Sequence, residues 1–296
     1  AIGSVETADL RDVYANRLAE VYPAGSTLRV GWDPGNGAAC DVLDRLLTRL
    51  DGRHHVINGV LDGSFPNHHP DPTVLSNLRQ LQSLVAEQTC ALGIAFDGDG
   101  DRIGVIDEKG RVLYADQLMV IYAGEVLAEQ AGAPIIADVK SSQVLFDEIT
   151  RLGGQPVMWK TGHSLIKAKM LELCAPMAGE MSGHIFFADH YHGFDDALYA
   201  AMRLLAIIDR SGSSLAELYD RMPHMVNTPE LRFSCPESRK FSVVEEVRMR
   251  LTRSGAEVNT TDGVRVSREG GWWLLRASNT QDVLVARCEA SDEVML

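Results

Sequence analysis

The sequence predicts an α/β protein, with two mixed α/β-sheet domains followed by a smaller α+β domain. Two observations predict it. Strand-like and helix-like patterns alternate along residues 7–210, the rhythm of a mainly parallel sheet with crossover helices. After a polar stretch around 222–229 the order changes to a strand, a helix and three short strands, as in an antiparallel sheet.

Taken in order, residues 7–22 space Leu10, Val13, Tyr14, Leu18 and Val21 as one helical face. A strand over 28–32 leads through a turn into a helix carrying Leu43, Leu46, Leu47 and Leu50. A strand at 56–60, a helix at 74–85 and a strand at 91–96 repeat the unit. The next stretch reads as strands at 135–139, 157–160 and 185–188. Its helices fall at 115–130, 143–152, 163–173 and 194–210. The last part reads as a strand at 231–234, a helix at 243–253 and strands at 263–266, 272–276 and 283–289. Domain boundaries are expected to give 1–111, 112–223 and 224–296, with the 222–229 stretch as a linker.

Composition narrows the function. The 296 residues are 45% hydrophobic and 23% charged, enough for a core without metal or disulfide staples. Net charge is −13 with no cluster of Lys or Arg, which argues against nucleic-acid and anionic-membrane partners. A small anionic substrate stays open, because surface charge is screened beyond about 8 Å. The five cysteines form no CxxC, so neither a disulfide framework nor a zinc site is expected. The first residues read as no leader, no apolar run approaches a membrane span, and a cytoplasmic location is expected.

The segment GIAFDGDGDRIGVID, residues 93–107, is the most informative. Asp97, Asp99 and Asp101 alternate with residues that include two glycines, and strands flank them. Alternate side chains of an extended segment share a face, and glycines let the backbone curl. Three converging carboxylates suit a hard cation such as Mg²⁺. A solvated acidic turn is the plain alternative. An EF-hand calcium loop would place Asp97, Asp99, Asp101 and Glu108 correctly, but Arg102 stands where it needs glycine. Further on, GEMSGHIFF offers Glu180, Ser182 and His184, groups that suit sugar hydroxyls. Near the end, RASNTQD offers Arg276, Ser278, Asn279 and Thr280, the composition of a phosphate nest. Alone, either of these two segments could be an ordinary polar loop.

In this order the three segments resemble the metal, sugar and phosphate loops of the α-D-phosphohexomutases of the phosphomannomutase/phosphoglucomutase type. The resemblance implies that Asp97, Asp99 and Asp101 ligate one Mg²⁺, and that Arg102 points towards the reactive phosphoryl group. It implies that Glu180 and Ser182 hold hexose hydroxyls beside His184. Arg276, Ser278, Asn279 and Thr280 would then grip the phosphate that is not transferred. Met181 is similar to the mannose/glucose branch rather than the glucosamine branch. Asp282 departs from the pattern, since the family usually has proline there.

WKTGHS and DVKSS also resemble the family and bring in His163 and Lys140 as cleft residues, with His163 a candidate for proton transfer. HGFDDALYAA (192–201) and FPNHHPDP (65–72) read as architectural. DPGNGAAC (33–40) nearly matches a dinucleotide fingerprint but has Cys40 in place of the third glycine, so it reads as a tight strand-to-helix turn. No loop resembling TASHNP, which carries the family's phosphoserine, is found in the sequence. The resemblance therefore implies that an N-terminal domain outside this chain supplies that serine, and that the chain alone is inactive. The activity implied for the intact parent is phosphoryl transfer between C1 and C6 of a hexose phosphate through a bisphosphate. A glucose 1,6-bisphosphate-type activator would prime it. A non-catalytic sugar-phosphate-binding homologue and a phosphoglucosamine mutase remain the alternatives.

Overall fold

A computed structural model describes residues 3–296. The first sheet has the order β2-β1-β3-β4-β5. Its strands are β1 (Arg29–Asp33), β2 (Arg53–Val56), β3 (Leu92–Phe96), β4 (Ile103–Asp107) and β5 (Val112–Leu113). Strands β2, β1 and β3 are parallel, whereas β3, β4 and β5 pair antiparallel. The helices α1 (Arg11–Ala19), α2 (Ala39–Leu47) and α3 (Arg79–Glu87) accompany this sheet, with a turn of 3-10 helix, Leu75–Leu78, before α3.

The second sheet repeats the plan with the order β7-β6-β8-β9. Here β6 (Pro134–Asp138), β7 (Gln155–Trp159) and β8 (Met177–Gly179) are parallel, and β9 (Ile185–Phe187) returns antiparallel to β8. Its helices are α4 (Ala115–Glu129), α5 (Gln143–Arg151), α6 (His163–Leu173), α7 (Ala197–Ser211) and α8 (Leu215–Asp220). The third sheet is antiparallel, in the order β10-β15-β14-β13-β12, with β11 also on β15. Its strands are β10 (Val226–Asn227), β11 (Leu231–Ser234), β12 (Val258–Asn259), β13 (Val264–Arg268), β14 (Gly271–Ala277) and β15 (Val283–Ala290), with α9 (Glu237–Arg253) beside them.

One apolar core runs through the first two sheets, from Leu18, Trp32 and Ile94 to Leu118, Ile135 and Met177. Helix α7 joins them, packing on β3 and β4 of one sheet and on β9 of the other. That explains why Leu198–Leu205 are buried on every face rather than along a single stripe. In both sheets the chain leaves the parallel rows through one antiparallel hairpin, β3–β4 in the first and β8–β9 in the second. Those two hairpin turns carry the acidic loop and the GEMSGH loop. Open α/β sheets place ligand sites at such carboxyl ends of strands.

Several expectations shift. The expected strand at 56–60 is earlier, because only residues 53–56 run beside β1. The helix expected at 7–22 spans only Arg11–Ala19. The stretch around 222–229 is more than a linker, since Val226 and Asn227 pair with Ala290 and Glu289. Strand β5 lies past residue 111 because Val112 and Leu113 pair with β4.

Candidate functional site

The acidic loop is a curled turn rather than the extended segment its alternation suggests. Asp97 Oδ1 accepts hydrogen bonds from the backbone N–H groups of Gly100, Asp101 and Arg102, each at 3.1 Å. Gly100 sits at φ +82°, where a side chain would be strained. The loop is pinned from outside as well, since Ala38 N donates to Gly98 O at 2.9 Å. The curl brings one oxygen each of Asp97, Asp99 and Asp101 within 4.8 Å of one another. Arg102 Nε donates to Asp97 Oδ2 at 2.7 Å, and its Nη1 lies 3.4 Å from Asp71 Oδ1.

The GEMSGH loop is a tight turn too. Gly183 N donates to Glu180 O at 3.0 Å, with Gly183 at φ +104°. Glu180 and Ser182 both meet His184, Glu180 Oε2 at 3.0 Å and Ser182 Oγ at 2.8 Å from its Nδ1. On its far side His184 Nε2 is 3.4 Å from Asp101 Oδ1. Burial alone would lower the ionisation of His184, but the bonds to Asp101 and Glu180 outweigh it and raise it to about 9. Burial likewise opposes the Glu180 carboxylate, yet His184 and the Gly162 N–H, 2.5 Å away, hold it below its ordinary value.

The two loops are zipped together. Arg102 and His184 form an antiparallel bridge, and Ile103 N donates to Gly183 O at 3.1 Å. Acidic and sugar-type groups from different sheets therefore share one surface. Beneath them lies Asp138 at the end of β6, fully buried. It accepts from Ser141 Oγ at 3.0 Å, Thr161 Oγ1 at 3.1 Å and Met181 N at 3.3 Å. Burial and the nearby Glu180 charge push Asp138 upward despite Lys140. Lys140 is itself buried, with Nζ 3.2 Å from Glu230 Oε2 and 3.7 Å from Asp138 Oδ2. His163, half exposed, starts α6 and lies 3.6 Å from Asp195 Oδ2.

The RASNT segment ends β14 on the neighbouring sheet. Ser278 Oγ accepts from the N–H groups of Thr280 and Gln281 at 3.3 and 3.2 Å, which folds the turn. Arg276 Nε donates to Asp262 Oδ2 at 2.9 Å, and the same oxygen accepts from Thr161 N at 3.0 Å. Asp262 thus ties this loop to the second sheet. Arg276 is 4% exposed, yet among the described residues its Nη2 has no hydrogen-bond partner. The third sheet is also clamped to the 138–143 segment. Arg265 donates to Val139 O and Ser141 O, both at 2.8 Å, and Arg287 donates to Lys140 O.

Sequence reasoning missed Asp138, Asp262 and Asp195. Asp195 lies in the HGFDD segment read as architectural, and its neighbour Asp196 does cap α7 by accepting from Tyr199 N at 2.9 Å. Asp195 itself comes within 4.8 Å of Asp101 and His184. The pair of adjacent aspartates was the only local signal.

Comparison with known proteins accounts for this arrangement. Residues 12–110 match the family model "Phosphoglucomutase/phosphomannomutase, alpha/beta/alpha domain II". Residues 114–225 match alpha/beta/alpha domain III, and residues 230–296 match the C-terminal domain. A phosphomannomutase/phosphoglucomutase of Pseudomonas syringae pv. tomato is 43% identical over 99% of this chain and 63% of its own length. A phosphoglucomutase of Neisseria gonorrhoeae is 39% identical over 99% of this chain and 64% of its own. A crystal structure of a phosphoglucomutase/phosphomannomutase family protein from Burkholderia thailandensis superposes with a TM-score of 0.93. It is 41% identical and covers 99% of this chain and 63% of that one. The chain spans just under two thirds of the length of these relatives. With three consecutive domain matches and the loops in matching order, the chain belongs to the phosphoglucomutase/phosphomannomutase family of α-D-phosphohexomutases.

Proposed function

We propose that this chain forms the metal-, sugar- and phosphate-binding part of a phosphohexomutase that moves a phosphoryl group between C1 and C6 of a hexose phosphate. The observation that carries the reading is the zipper between the acidic loop and the GEMSGH loop, which sets Arg102, Asp101, His184 and Glu180 side by side. We also propose that residues 1–111, 112–223 and 224–296, with β5 added to the first, act as three units around this site.

Asp97, Asp99 and Asp101 fit a hard divalent cation. Their oxygens converge, and among the described residues no hydrogen bond reaches the Asp99 carboxylate. Mg²⁺ held there would supply positive charge opposite the transferred phosphoryl oxygens. Arg102 adds a guanidinium at the same edge. Glu180, ionised and fixed by His184 and Gly162, would accept hydrogen bonds from hexose hydroxyls, with Ser182 beside it. His184 and His163 would hold or move protons at the hydroxyl that gains or loses the phosphoryl group. Arg276 Nη2, buried and unpartnered among the described residues, would grip the phosphate that stays, helped by Ser278, Asn279 and Thr280. Lys140 would hold Asp138 and Glu230 in place at the foot of the cleft.

The serines beside these loops are already engaged: Ser141 on Asp138, Ser142 capping α5, Ser182 on His184 and Ser278 within its own turn. These four hydroxyls are held within the loops, and we propose that the phosphoryl donor lies on a further domain. A chimera tests this, with this chain replacing the matching part of the Pseudomonas syringae relative. Interconversion of mannose 1- and 6-phosphate is expected, and Asp99→Asn should abolish Mg²⁺ dependence together with most of the rate. A folded chimera that converts neither hexose phosphate, or one indifferent to Asp99→Asn, would overturn the reading.

A further inference from the structure

We propose that Asp101, His184 and Asp195, with His163 next to them, form a second metal site that takes borderline-soft divalent ions such as Zn²⁺ or Co²⁺. One ligand atom each of Asp101, His184 and Asp195 lies within 4.8 Å of the other two. His184 Nε2 stands 3.4 Å from Asp101 Oδ1, and His163 Nδ1 stands 3.6 Å from Asp195 Oδ2. With zinc–ligand bonds of about 2.0–2.1 Å, the edge of a tetrahedron measures about 3.4 Å. The His184–Asp101 pair is therefore already near the spacing of two ligands on one ion. The His163 and His184 rings lie stacked, centroids 5.8 Å apart, which keeps the two imidazoles adjacent.

The surroundings orient these ligands. Glu180 Oε2 faces His184 Nδ1 at 3.0 Å, and a carboxylate on that nitrogen holds its proton there and leaves Nε2 to coordinate. Lys167 Nζ donates to Asp195 Oδ1 at 2.8 Å, which turns Oδ2 towards His163. A cleft lined by Asp101, Phe194 and Asp195 gives an ion its way in. A nitrogen ligand from His184 favours zinc-like ions over Mg²⁺, which prefers oxygen. The donor set thus differs from the carboxylates of Asp97 and Asp99, although Asp101 is common to both.

Co²⁺ titration of the purified chain, followed by visible absorption, tests the site, because tetrahedral nitrogen-ligated Co²⁺ absorbs far more strongly than octahedral oxygen-ligated Co²⁺. One strongly absorbing Co²⁺ per chain is expected, displaced by Zn²⁺. His184→Gln should lose the band, Glu180→Gln should weaken Co²⁺ binding by about 10-fold or more, and Asp99→Asn should keep the band while losing Mg²⁺ affinity. His184→Gln also removes the contacts that hold Glu180 and Ser182, so the wild-type histidine ring resonances give a second readout, and those of His163 and His184 should both move with Zn²⁺. A band that survives His184→Gln, a band lost in Asp99→Asn, or histidine resonances indifferent to Zn²⁺ would each overturn the site.

Discussion

Replacing Arg276 with lysine keeps a positive charge but removes the planar fork. In the structure Arg276 Nε is committed to Asp262 Oδ2 at 2.9 Å, while Nη2 is buried without a partner among the described residues. Arginine can therefore hold Asp262 with one edge and a phosphate with the other. Lysine has a single nitrogen, which can sit on Asp262 or reach the phosphate, but cannot serve both in this geometry. A hydrogen bond to a charged group contributes about 1.5–3 kcal/mol. At about 1.4 kcal/mol per tenfold, the affinity for a hexose phosphate should fall roughly 10- to 150-fold. Calorimetry with glucose 1-phosphate and mannose 1-phosphate measures this, with a melting curve to confirm that the variant folds. A folded Arg276→Lys chain with an unchanged dissociation constant would refute the reasoning.

Two further predictions follow from the loops. Gly183→Ala places a Cβ 2.9 Å from Ile103 O at φ +104°, so it should cost about 1–3 kcal/mol and loosen the join between the loops; an unchanged melting temperature would contradict this. His184 should titrate in the metal-free chain at about 9 rather than its ordinary 6.5, since Asp101 and Glu180 outweigh burial. Its folded value is raised, so its contribution to stability is full below pH 6.5 and is lost as pH rises through about 9. A histidine NMR midpoint near 6.5 would rule that out.

What was legible in the sequence was what is local. Helix α6 begins and ends where the pattern placed it, because Gly162 at φ +133° precedes it and Cys174 at φ +51° closes it. The acidic loop announced itself because its carboxylates and glycines are neighbours in the chain. Strand β8 did not, since three residues, Met177–Gly179, carry no periodicity and owe their conformation to β6 and β9. Strands β10 and β12 are two residues each and exist through their partners in the same way. Helix α9 starts at Glu237, ahead of the expected 243, because its first turn is polar, with Glu237, Ser238 and Arg239 exposed and its buried residue a lysine, Lys240. In the site, Asp195 and Asp262 reach their partners only through the fold. Asp195, just ahead of α7, meets Asp101 of the β3–β4 turn, and Asp262, just ahead of β13, meets Arg276. No pattern along the chain could pair them.

The central claim is that one hexose phosphate is held at once by the loops of the two α/β sheets and by the RASNT turn. Backbone NMR of the labelled chain, titrated with glucose 1-phosphate in the presence of Mg²⁺, tests it most directly. Saturable shifts of Gly183 and His184 together with Ser278, Asn279 and Thr280 are expected, all fitting a single dissociation constant. Shifts confined to one of the two groups, or two unrelated binding curves, would contradict it.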